Sequence, residues 1–116
     1  MATESDHKQQ AQHNADFLRA IDGTLFPDWV ATVAFYRAVH LVEMLFAHDK
    51  RPAGGSHNGR NQALKRNYPD LWREYRPLYN LSRTARYWCM SINSNNVTYA
   101  IDRLLRIEQI VTSLTT

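Results

Sequence analysis

The run from Trp29 to Ala47 (Trp-Val-Ala-Thr-Val-Ala-Phe-Tyr-Arg-Ala-Val-His-Leu-Val-Glu-Met-Leu-Phe-Ala) is apolar nearly all the way round a helix, yet a polar line passes through it. At about 100° per residue, Thr32, Tyr36, His40 and Glu43 fall within an arc of roughly 80°. A helix with no solvent face belongs at the centre of a bundle. Its imidazole, carboxylate and phenol then need hydrogen-bonding partners or a ligand, because burying them unpaired is costly. This segment requires other helices around it and asks what its polar line meets.

The rest of the chain can supply those helices. No stretch sustains β-strand alternation, and there is no internal repeat or low-complexity tract. The pattern predicts one all-α domain over residues 1–116, an up-and-down bundle of four main helices plus one or two short ones. The first helix is expected from Ser5 to Asp22, with Ala11, Asn14, Phe17, Leu18 and Ile21 on one side and Gly23 as its stop. Pro27 and Asp28 open the second, Asp28 as cap or first-turn acid, and it ends near Asp49 before the loop Arg51-Pro52-Ala53-Gly54-Gly55. Ser56 can cap a third helix from His57 to about Asn67. Tyr68-Pro69-Asp70 reads as a turn with Asp70 as the next cap. Pro77 predicts a break, with a short helix to Tyr75 or Arg76 and a longer one starting at Pro77. Asn93 to Asn96 is a polar interruption. The last helix is expected from Val97 to about Leu114, burying Val97, Ile101, Leu104, Leu105 and Val111. Glu108 falls inside that apolar arc, either as a partly exposed end residue or as a buried partner for an arginine.

Charge and cysteine usage narrow the setting. Lys and Arg number 14 against 11 acids, a net of +3, with a pI near 9.2. That excess is too small to argue for nucleic acid, so its distribution matters more. The single Cys89 excludes an internal disulfide and fits a reducing compartment. The first twenty residues are polar and include acids, unlike a secretory signal. Arg37, His40 and Glu43 interrupt the longest apolar run, so no membrane span is expected. A cytoplasmic protein is the simplest expectation.

The basic residues gather on a second line. Arg76, Tyr79, Arg83 and Arg86 cluster within roughly 80° of helical arc, opposite Leu78, Leu81, Ala85, Trp88 and Ile92, with Tyr87 and Met90 flanking them. Guanidiniums one turn apart repel unless a carboxylate or an anion sits between them. A solvated basic face is the bland reading. Arginines interleaved with aromatics also suit phosphate contact combined with base stacking. His57 and Arg60 form a third element at the start of a helix, where unpaired N–H groups favour an anion and Asn58 and Gly59 leave room for one. The bland reading there is a polar loop-to-helix junction.

Other chemistries find less support. His40, Glu43 and His57 could hold a metal, but no second His/Glu pair has ligand spacing and nearby arginines oppose a cation. His7, His13 and His48 show no convergence on them, and neither metal nor cofactor is expected. Gly54-Gly55 precedes no Lys-Ser/Thr, no nucleophile-elbow sequence is present, and Cys89 reads as packing.

The segments Asp28-Trp29 and Phe35 to Glu43, then Ser56-His57-Asn58-Gly59-Arg60, then Leu78-Tyr79 and Ser82 to Tyr87, resemble small prokaryotic HEPN-domain proteins. The resemblance spans roughly Asn14 to Tyr87 as a pattern, without one diagnostic motif. It implies a compact helical bundle, a homodimer facing itself across a cleft, and membership of a superfamily with metal-independent ribonucleases, toxins paired with nucleotidyltransferase-type partner proteins, and members of no known activity. Ribonuclease members carry Arg, four to six residues, then His at a helix start. Here that spacing is met by Arg51 and His57 across a loop, so the usual site does not transfer. The leading expectation is a cleft of Tyr36, His40, Glu43, His57, Arg60, Tyr79, Arg83 and Arg86 binding RNA or a nucleotide phosphate. In it His57 or His40 serves as acid/base, and Arg60, Arg83 and Arg86 contact phosphate. The rival is a non-catalytic dimeric interaction module in which Glu43 and Glu108 pair with Arg83 and Arg86. A third is a metal-dependent bundle enzyme on His40, Glu43 and His57.

Overall fold

Local capping chemistry sets where the helices begin. In the computed structural model, which describes residues 2–87 and 91–116, the Thr3 hydroxyl accepts from the Asp6 N–H while Asp6 returns a bond to the Thr3 N–H. This reciprocal box starts α1 (Glu4–Ala20). The helix stops before Gly23: Ile21 is extended, and the Asp22 carboxylate turns the chain by accepting from the N–H groups of Thr24 and Leu25. Helix α2 (Pro27–His48) has Phe26 as its cap and Pro27 in the first turn, so Asp28 is the first-turn acid rather than the cap. Ser56 accepts from the Gly59 N–H at 3.0 Å and opens α3 (His57–Asn67).

Two expected breaks are helical. Helix α4 (Pro69–Tyr87) runs through Pro77 without interruption, and Asp70 lies in its first turn, not at its cap. Pro77 removes the donor for the Arg73 carbonyl, but Arg73 is exposed, so water can replace that donor. Helix α5 (Ser94–Thr115) begins three residues earlier than expected, because Asn93 and Asn96 cap each other's backbone N–H. The polar run that reads as a break is the first turn. Trp88, Cys89 and Met90 lie outside the described residues.

All regular structure among the described residues is helical, and α2 is its axis. It contacts α1, α4 and α5, while α4 also contacts α3 and α5. Ala34, Phe35, Ala38, Val42, Leu45 and Phe46 are sealed inside, packed with Leu71, Tyr75 and Leu78 of α4 and Leu104, Ile107 and Val111 of α5. By length and composition α2 could cross a membrane, contrary to the reading that its charged residues interrupt it; 67% of its apolar window is buried within the bundle. On α5 the buried stripe is Ala100, Leu104, Ile107 and Val111, and Leu105, expected inside, is 53% exposed. Phe17 of α1 is likewise exposed. Glu108 meets Arg37 at 2.6 Å, and Arg37 also donates to the Ala11 carbonyl at 2.7 Å, tying α1, α2 and α5 together.

Candidate functional site

One open edge breaks the burial of α2. Trp29, Val33, Tyr36 and His40 stay wholly or partly accessible while their neighbours are buried. At 100° per residue these four lie within about 60° of one another. Beside this edge stand the start of α3 and the last turns of α4, which bring His57, Tyr79, Arg83 and Arg86 together. The sealed Phe35 ring is their common floor: its centroid lies 5.6 Å from His57 and from Tyr79, and 5.9 Å from Tyr36. The Arg86 guanidinium stands 5.5 Å over Phe35, 5.2 Å over Tyr36 and 5.1 Å over Tyr87.

Arg86 is the unusual member. Its Nε and Nη1 are buried and have no hydrogen-bond partner among the described residues. Aromatic faces offset part of the cost of desolvating a guanidinium, but they accept no ordinary hydrogen bond from its in-plane N–H groups. Arg83 is exposed on the same helix, 5.7 Å over the Tyr79 ring and at 3.5 Å from its hydroxyl. Neither arginine has a carboxylate partner among the described residues.

The carboxylates are engaged elsewhere, which corrects the expected pairing of Glu43 and Glu108 with Arg83 and Arg86. Glu43 meets Arg60 at 2.9 Å and accepts from the Gly54 N–H at 3.0 Å; Glu108 is taken by Arg37. Arg60, expected as a phosphate contact, is paired with Glu43. Its other end donates from Nη1 to His57 Nδ1 at 3.2 Å. Since arginine can only donate, His57 Nδ1 must be the accepting nitrogen, and a neutral His57 carries its proton on Nε2. Burial lowers the His57 pKa, and Arg60, Arg86 and Arg83 lower it further, so the ring is neutral near pH 7.

His40 stands apart from that group. Its Nδ1 lies 3.0 Å from Nδ1 of His7 on α1, so one ring donates and the other accepts. Burial lowers its pKa, followed by His7 and Arg60, with Glu43 opposing. His40 has no hydrogen bond to any other expected site residue among those described. The trio of the third, metal-dependent reading comes apart, since Glu43 faces Arg60 and Gly54 while the two imidazoles face His7 and Arg60. No group of three His, Cys, Asp or Glu side chains converges among the described residues. Arg51 is held by Tyr68, its Nε donating to that hydroxyl at 3.0 Å, and is not presented with His57. Arg76 is exposed and outside the cluster.

Sequence reasoning missed two contributors, Phe35 and His7. Phe35 reads as plain core, and Tyr75, an aromatic near the basic line in the sequence, is sealed against it with ring centroids 5.6 Å apart. Burial raises the Tyr75 pKa, so its hydroxyl stays protonated. His7 lies on a polar helix whose docking direction its own pattern did not specify.

The histidines give stability a defined pH dependence. Both folded-state pKa values lie below the ordinary value of about 6.5, so below that pH the unfolded chain binds more protons. Their contribution is complete above about pH 6.5 and is lost as pH falls toward the lowered folded values. Melting temperature should drop between pH 7.5 and 5.5, and His40→Gln should flatten part of that drop. A midpoint that stays level or rises on acidification would contradict this assignment.

No protein-family model, curated protein or solved structure matches the chain.

Proposed function

We propose that this chain is a HEPN-like helical domain that binds RNA or a nucleotide through its phosphate, at the edge formed by His57, Tyr79, Arg83 and Arg86. The observation that carries the reading is that, among the described residues, the buried Nε and Nη1 of Arg86 have no hydrogen-bond partner and the nearby Arg83 has no carboxylate partner. A phosphate offers the acceptors these donors lack and relieves the repulsion between the two cations. His57 adds an Nε2–H donor without adding charge. The Glu43–Arg60 pair positions His57 from below. On the HEPN resemblance, the protein works in the cytoplasm as a homodimer and has a nucleotidyltransferase-type partner protein.

A ribonuclease reading has one observation in its favour, the neutral imidazole beside two arginines. For cleavage, His57 would exchange the Arg60 hydrogen bond for the proton of a ribose 2′-hydroxyl. The 2′-oxygen would attack phosphorus, the P–O5′ bond would break, and water would protonate the leaving 5′-oxygen. The products would be a 2′,3′-cyclic phosphate and a 5′-hydroxyl.

One experiment addresses both readings. Single-stranded RNA is titrated against the protein by anisotropy, then incubated with and without chelator and its ends analysed. His57→Ala should weaken binding about 10-fold, the worth of one hydrogen bond to a charged acceptor. If the protein cleaves, the same variant should lower the rate at least about 100-fold. Unchanged affinity in His57→Ala, with no cleavage by the parent protein, would remove the residue from the site.

A further inference from the structure

Helix α2 keeps one edge open, and that edge is aromatic. Trp29 is 54% exposed, Tyr36 is 39% exposed, and Val33 lies between them. Leu25 and Phe26, also exposed, extend the surface beyond the helix start. From Trp29 to His40 the edge runs about 16 Å at 1.5 Å per residue. It leads directly to Arg86, which sits over Tyr36 and beside the exposed Tyr87. A large exposed indole on the same helix edge as Tyr36, the ring under Arg86, needs an explanation that a bulk-solvent surface does not provide.

Charge decides among occupants. A second copy of this chain packed stripe against stripe would bring two sets of Arg83 and Arg86 to one interface, where neither arginine has a carboxylate partner among the described residues and the exposed acid of the edge, Asp28, lies about two turns from Tyr36 in the first turn of α2. A ribose–phosphate chain brings its own anions and carries flat bases that need a stacking surface. Duplex RNA keeps its bases stacked on one another and offers none to Trp29. An unpaired strand splayed along the edge can place a phosphate at Arg83 and Arg86 and lay about two or three bases on Tyr36 and Trp29.

We infer that the aromatic edge Trp29–Val33–Tyr36 is a base-stacking track for a single-stranded polynucleotide whose phosphate is held by Arg83 and Arg86. The inference rests on the phosphate reading above and adds to it the strand state of the ligand and the residues that select it. Trp29 makes no side-chain hydrogen bond among the described residues and is 54% exposed, so its removal leaves the bundle intact.

The test compares three probes on the full chain: a single-stranded RNA octamer, the same octamer as a duplex, and inorganic tripolyphosphate. Trp29→Ala should weaken the single strand about 10-fold, within the range for loss of one stacked base, with tripolyphosphate affinity unchanged. Trp29→Phe should restore most of the loss. The parent protein should bind the duplex more weakly than the strand. Equal affinity of Trp29→Ala for the octamer would overturn the track, as would a duplex bound as tightly as the strand. A dimer that Trp29→Ala dissociates while RNA affinity holds would assign the edge to a second copy and overturn it too. The phosphate reading fails separately, if Arg83→Ala and Arg86→Ala both leave tripolyphosphate binding unchanged.

Discussion

Glu43→Ala should lower the unfolding free energy by about 3–5 kcal/mol, with a fall of more than about 10 °C in melting temperature. The Glu43 and Arg60 side chains are only 6% and 11% exposed, so the pair is desolvated. Deleting the carboxylate leaves the guanidinium buried without its counter-charge and removes the acceptor for the Gly54 N–H. The gap does not close easily. A Cβ on Gly54 would stand 2.7 Å from Glu43 Oε1 and 2.8 Å from the Arg60 Cβ, and one on Gly59 would collide with the Gly54 carbonyl oxygen. The loop and the α3 start are thus fitted around this ion pair with glycine clearance. Replacing both partners tests the cause: Glu43→Leu with Arg60→Met should recover most of the loss, because the uncompensated charge goes as well. Urea denaturation measures both. A single-variant cost below about 1 kcal/mol would mean that water reaches the pair and screens it.

That pair also shows what the sequence makes legible. The apolar circumference of α2 predicts a central helix, and its polar line predicts that Glu43 needs a partner. Neither gives the partner's identity, because Arg60 on α3 and Arg83 and Arg86 on α4 are equally good cations. The choice is made by loop 51–55, which brings the α3 start against Glu43 through the Gly54 N–H. Pro77 fails as a boundary signal for a related reason. A proline removes one hydrogen bond, here at the exposed residue Arg73, whereas packing of Leu71, Tyr75, Leu78 and Ser82 along one face keeps the helix continuous. Leu105 shows the limit of apolar counting, since it lies 100° from Leu104 and only one of them can face α2. His7 was beyond reach: α1 is polar on most sides, so nothing local says that position 7 meets position 40.

Arg86→Met should reduce affinity for single-stranded RNA by about 100-fold while melting temperature stays level or rises. The two halves of this result have one origin. In the free protein, buried Nε and Nη1 groups without acceptors each cost about 1–3 kcal/mol, only part of which the Phe35, Tyr36 and Tyr87 faces return. Methionine keeps the volume against those rings and carries no donor to desolvate. In the complex the same N–H groups gain charged acceptors, and two such bonds correspond to roughly 3 kcal/mol or more, hence the 100-fold loss. Arg83→Ala, at an exposed position, should leave stability alone and flatten the salt dependence of binding by about one unit of slope. Arg86→Lys discriminates further. It keeps the charge without the planar fork, so it should recover the salt slope but not the affinity. A large fall in melting temperature for Arg86→Met, with RNA affinity unchanged, would make this arginine a core strut. The rival reading, a structural network without a ligand, would then hold for both halves of the site.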